Sequence, residues 1–248
     1  MKTLALLVAI FLVALAFTVK NQAEPPNGTR TAVLVELFTS EGCSSCPPAD
    51  RLLIELKQKQ PVPNAQVIAL GQHVDYWNYI GWTDKFSSAQ FTARQQQYAD
   101  RLNDGPYTPQ MVIDGTTSVV GNDEDGVSRA ITRAAAAVKP VQVELSQTGD
   151  QVQVKLHGLA NSSPEVFFAL VEDDLESRVK AGENDGVTLH HVAVARELRS
   201  LGRASGDAWA GTSAVKLDGG IRKEKSQALV FVQGASGKVL GVNTIALR

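Results

Sequence analysis

Hydrophobic rhythm changes midway along the chain. In the first half, apolar runs of β type alternate with apolar positions at helical spacing. Ala32-Val33-Leu34-Val35-Glu36-Leu37-Phe38 reads as a buried strand. Leu52, Leu53, Ile54 and Leu56, set among charged residues, give a helix over 47–59. Pro47 and Pro48 suit its first turn, where no N–H is needed. Gln60-Pro61-Val62-Pro63-Asn64 ends it. Residues 65–71 form a second buried strand leading to His73, followed by an aromatic loop over 76–82. Residues 87–102 read as a helix with Phe91, Tyr98 and Leu102 on one face. Residues 110–115 are a strand and turn, 116–120 return as a hairpin, and 126–138 form an alanine-rich helix.

From Pro140 onward the period falls to two. Residues 141–145 and 151–156 alternate apolar and polar across a Thr-Gly-Asp turn, and several short strands follow between Gly-rich turns. The β-α-β-α-β-β-α order of residues 31–139 is that of an α/β thioredoxin-like domain. About seven short strands over 140–248 predict an all-β, immunoglobulin-like sandwich as a second domain.

Residues 1–23 read as a signal peptide: Lys2 precedes an apolar run over 4–17, short for a membrane span, with cleavage after Ala16 or near Ala23. An uncleaved anchor is the alternative, disfavoured by the length of the run. Residues 24–30 are a polar leader. The reading is of an exported protein, periplasmic or extracellular, with no stable membrane span after signal removal. Net charge is −2, and no basic cluster suggests a nucleic-acid partner. In such a compartment disulfides persist.

That bears on the chemistry, because the only two cysteines are Cys43 and Cys46, spaced C-x-x-C between a strand and a helix. Unpaired N–H groups at a helix N-terminus favour a thiolate. A thiolate attacks disulfides, and a second thiol three residues on resolves the mixed disulfide. A structural staple is the plainer reading, but closing so short a loop contributes only roughly 2 kcal/mol.

Residues 35–50, His73-Val74-Asp75-Tyr76-Trp77-Asn78 with Gly81-Trp82, and Tyr107 to Gly115 resemble the exported family known as domain of unknown function 1223. Gly182-Glu183-Asn184 and Leu189-His190-His191 extend the resemblance into the second half. That family is grouped with thioredoxin-like proteins and carries no settled activity. The resemblance implies Cys43 as an exposed nucleophile, Cys46 as resolving thiol, and Thr108-Pro109 as a cis-proline loop that positions a substrate strand. It implies Glu36 as a buried carboxylate relaying a proton to Cys46. Ser44 and Ser45 set the dipeptide between the thiols, and no Trp precedes Cys43, so no redox potential carries over. His73 and Trp77 would stand close behind the site.

The expected activity is thiol-disulfide exchange on a protein or peptide thiol substrate. It needs a separate redox partner, because no nucleotide or flavin motif is present, and no cofactor beyond the disulfide. Two alternatives stay open. Cys43, Cys46 and His73 could bind a soft ion such as copper(I), although a His73 hydrogen-bonded to Asp75 is the plainer reading. The protein could instead be a non-enzymatic binding module. His157, His190 and His191 read as surface or sandwich-edge residues, since no ligand spacing links them. The aromatic loop reads equally as a substrate platform or a packed cap. Asn27 and Asn161 begin glycosylation sequons.

Overall fold

The computed structural model describes residues 30–248 except Asn161 and Gly219. The predicted signal peptide, most of the leader and the Asn27 and Asn161 sequon positions lie outside the described residues. The first half runs β1 (Thr31–Thr39), α1 (Pro47–Lys59), β2 (Ala65–His73), α2 (Ala89–Leu102), β3 (Gln110–Ile113), β4 (Thr117–Val120) and α3 (Glu124–Ala135). The second half runs β5 (Gln142–Thr148), β6 (Gln151–His157), β7 (Glu165–Glu172), β8 (Leu175–Arg178), β9 (Thr188–His191), β10 (Val194–Arg203), β11 (Ala208–Ala214), β12 (Ser226–Gln233) and β13 (Val239–Ala246).

The thioredoxin-like α/β domain followed by an immunoglobulin-like sandwich does not form. The two halves share one mixed eight-stranded sheet, in the order β13-β12-β7-β10-β2-β1-β3-β4. The join is parallel, with Val194 opposite Gly71 and Gly71 N–H donating to Ala193 O at 2.8 Å. β2 is buried along nearly its whole length. β10 meets the outer edge of β2 at this one position near its C-terminal end. β7, β10, β12 and β13 are thereby committed to the first-half sheet. A three-stranded sheet, β11-β6-β5, packs on β7 and β12 through Val152, Val154, Leu156, Phe168 and Val230. β8 and β9 form a separate two-stranded arm.

β1 explains the two faces of the large sheet. Val33, Val35 and Leu37 pack with Ala49, Leu53 and Leu56 of α1 and with Val127 and Ile131 of α3. Leu34, Glu36 and Phe38 therefore face the opposite side, towards α2. Ser88 caps α2, its side chain accepting the Gln90 N–H, and the helix buries Phe91, Arg94, Gln95 and Tyr98.

Among these buried polar groups, Arg94 donates to both oxygens of Glu36 at 2.6 and 3.0 Å. Tyr98 Oη and Gln72 Nε2 also donate to that carboxylate. Gln233 from β12 donates to Tyr98 Oη, and the Arg94 guanidinium lies about 5 Å from the rings of Phe167 and Phe231. Burial, which opposes ionising the phenol, raises the Tyr98 pKa, and the Glu36 charge adds to it. This buried network ties the halves together across the sheet. Among the described residues no helix is long and apolar enough to cross a membrane.

Candidate functional site

β1 runs out of the sheet at Thr39 and turns sharply. Cys43 N–H returns to Ser40 O, Cys46 N–H to Cys43 O, and Gly42 N–H to Ser40 Oγ. Cys46 then caps α1, and Cys43 and Cys46 are joined in a disulfide. Ser44 and Ser45 are exposed, but both cysteines have 0% of their surface accessible. The expectation of an exposed Cys43 is thus overturned.

The second half reaches this loop. The chain between β8 and β9 brings Asn184 against the disulfide loop, where Nδ2 donates to Glu41 O at 2.8 Å and Cys43 O at 3.0 Å. Glu183 Oε2 accepts the Ser44 N–H at 3.1 Å, and that contact lowers the pKa of Glu183.

At the base of the arm, His191 is buried between two carboxylates that flank the disulfide loop in sequence. Its Nε2 lies 3.5 Å from Glu41 Oε1 and its Nδ1 3.9 Å from Asp50 Oδ1. Neither ring nitrogen, nor Glu41 Oε1, has a hydrogen-bond partner among the described residues. Burial opposes charge on His191 and is the largest single influence. Asp50 and Glu41 outweigh it and push the pKa up to about 9. Burial would likewise raise Glu41, but His191 and the Trp82 N–H hold it below its usual range.

His191 packs edge-on to His73, with centroids 4.8 Å apart. The pairing of His73 with Asp75 does not occur. His73 Nδ1 lies 2.7 Å from Asp84 Oδ2, which also accepts the Glu41 N–H. Burial works against ionised Asp84, and His73 more than offsets it, so its pKa is lowered. Asp75 instead accepts from Thr92. His191 is therefore no sandwich-edge residue, while His157 and His190 are exposed.

The other predicted residues divide into two groups. Trp77 Nε1 donates to Thr108 Oγ1 at 2.8 Å, and Trp77 also packs against Gly42. The Thr108-Pro109 bond is cis. A Cβ at Gly121 would lie 3.0 Å from Pro109 Cβ and 3.1 Å from Ala49 Cβ, so Pro109 sits beside the first turn of α1. Cys43, Cys46, Ser44, Ser45, Trp77, Thr108 and Pro109 thus share one end of the sheet. Glu36 does not join them: it is held by Arg94 on the α2 face. The aromatic loop divides as well, with Trp77 partly buried and Tyr79 81% exposed.

Sequence reasoning missed Glu41, Asp50, Asp84, Asn184 and the burial of His191. Alternation along β9, with Leu189 and His191 buried and His190 exposed, was a signal available for His191. Asp50 lies among buried positions of α1. Among the described residues no group of three or more His, Cys, Asp or Glu is arranged to hold a metal ion.

The chain is similar over 88% of its length to protein AGR_C_4864 from Agrobacterium tumefaciens, at 30% identity, with 95% of that chain covered and a TM-score of 0.72. It shares a fold with HBP35 of Porphyromonas gingivalis at 14% identity, covering 89% of this chain and 76% of that one, with a TM-score of 0.61. Nothing matches among curated proteins. The model of the family described as protein of unknown function (DUF1223) matches residues 34–233, and the chain belongs to that family.

Proposed function

We propose that the protein is an exported thiol-disulfide oxidoreductase acting on protein or peptide thiols and disulfides. The observation that carries the reading is the Cys43–Cys46 disulfide at the N-terminus of α1, with Trp77 and Thr108-Pro109 at the same end of the sheet. A substrate thiolate attacks one sulfur and displaces the other as a thiolate. A second substrate thiol then breaks the mixed disulfide, so two electrons enter the pair and the substrate leaves oxidised. The reverse sequence reduces a substrate disulfide, with Cys43 attacking and Cys46 resolving. Thr108-Pro109 lines the approach of the substrate strand, and Glu41, His191 and Asp50 are the ionisable groups flanking the loop.

The test is turnover. Catalysed reduction of a protein disulfide by dithiothreitol, and catalysed oxidation of a reduced protein by oxidised glutathione, are measured for the wild type and for Cys43→Ser/Cys46→Ser. Activity in either direction that the double variant lacks supports the reading. Equal rates for both proteins contradict it and point to a binding module.

A further inference from the structure

Any thiol that exchanges with this disulfide must reach a sulfur atom, yet both cysteines have 0% accessible surface. Displacement at a disulfide needs approach to the attacked sulfur. Closed as it stands, the site is inert.

The segment bound to the disulfide loop is polar at its tip and anchored below by Val179, which is 1% exposed. Within residues 182–188 only Asn184 is buried; Gly182, Glu183, Asp185, Gly186, Val187 and Thr188 are exposed. Three hydrogen bonds hold this tip to the disulfide loop, two from Asn184 and one to Glu183. Gly182 adds an apolar contact with Ile80.

The tip is also a body in its own right. Val179 N–H bonds Val187 O, Gly186 N–H bonds Val179 O, Asp185 N–H bonds Gly182 O and Val187 N–H bonds Asn184 O. The β8–β9 ladder continues it from Arg178 and Thr188 to Leu175 and His191. The base is fixed differently, with Val192 and Ala193 in the core beside Ala49 and Leu53. The arm can therefore lift its tip without unfolding itself or losing its root.

We propose that Asn184 and Glu183 form a gate that determines access to the Cys43–Cys46 disulfide, so that exchange proceeds only when residues 182–187 swing away. The proposal rests on the oxidoreductase reading and adds what controls it. In the open state an incoming strand gains the Ser44 N–H that Glu183 occupies and the Cys43 O that Asn184 occupies. A peptide backbone supplies the matching acceptor and donor. The gate selects for partners that replace both contacts.

The experiment follows reduction of the oxidised protein by dithiothreitol, with acid quench and thiol alkylation. The reagent's thiolate attacks one sulfur and releases the other, which takes a proton. Its second thiol closes the cyclic disulfide and frees the remaining protein thiol. In Asn184→Ala the loss of two hydrogen bonds is expected to raise the rate constant about tenfold or more. In Glu183→Ala, where the side chain is exposed and folding is not at issue, the rise is about twofold to fivefold. Reoxidation by oxidised dithiothreitol speeds up by the same factors, leaving the equilibrium between the two forms unchanged.

The wild-type rate should also depend on urea less steeply than global unfolding does, because lifting the tip exposes less surface than unfolding the chain. Unchanged rates in both variants would overturn the gate. So would a wild-type rate equal to that of the chain in denaturant, or a urea slope equal to that of global unfolding. These kinetics concern any small dithiol, so the gate can fail while protein-substrate turnover persists, and the reverse.

Discussion

The imidazole rings of His73 and His191 meet edge-on, 4.8 Å apart, beside the disulfide loop. One ends a strand of the first half and the other ends the arm of the second. Each is matched to carboxylates, His73 to Asp84 and His191 to Glu41 and Asp50. The contact makes the disulfide region a joint product of both halves, as the shared eight-stranded sheet requires.

Because the His191 pKa is pushed up to about 9, its ion pairs add stability at low pH. The contribution is full below the unfolded value of about 6.5 and is lost as pH rises through about 9, on the order of 3 kcal/mol in all. Urea unfolding midpoints should fall between pH 7 and 10. In His191→Gln that fall should shrink, and a variant with the wild-type pH profile would contradict the assignment. At the acid end the sign reverses. Glu41 and Asp84, held below their usual range, stabilise above about pH 4.5 and lose that contribution as pH drops.

Arg94→Ala should be among the most damaging substitutions. It leaves the Glu36 carboxylate, itself 0% exposed, without its cation, at a cost of about 3–5 kcal/mol. Chemical denaturation measures this. A loss below about 1 kcal/mol would show that Tyr98 and Gln72 alone satisfy Glu36.

Gly121→Ala probes the seat of the cis-proline. The added methyl meets Pro109 Cβ at 3.0 Å and Ala49 Cβ at 3.1 Å, so overpacking of about 1–3 kcal/mol is expected. Turnover should fall more steeply than stability if Pro109 positions the substrate strand. Stability loss with unchanged turnover per folded molecule would separate Pro109 from substrate binding.

Trp77→Phe keeps the aromatic bulk and removes the bond to Thr108. A stability cost of about 0.5–1.5 kcal/mol follows from one part-buried hydrogen bond. The proposed function adds a rise in KM for a protein substrate, with little change for dithiothreitol.

Much of the local structure was legible in the sequence. β1, α1 and β2 follow from continuous apolar runs and from Pro47 and Pro48, and the strand-to-helix position of the C-x-x-C follows with them. Lateral pairing did not. A strand buried on both faces reads as apolar whatever lies beside it, so β10 against β2 left no mark in either segment. Period-two alternation in the second half predicts a sandwich because it reports which face is buried, not which sheet a strand joins. The resemblance implies Glu36 beside the dithiol, but alternation along β1 sends it to the α2 face, opposite Val35 and Leu37. Glu41 and Asn184 act across a separation that no spacing rule spans.

On the proposed function, Cys43–Cys46 exchanges electrons rather than stapling a loop. The direct measurement is its reduction potential, by equilibration in glutathione buffers with alkylation of free thiols. The account predicts a value between about −120 and −270 mV, the range of exchange catalysts. A value below about −300 mV, typical of structural disulfides, would contradict it.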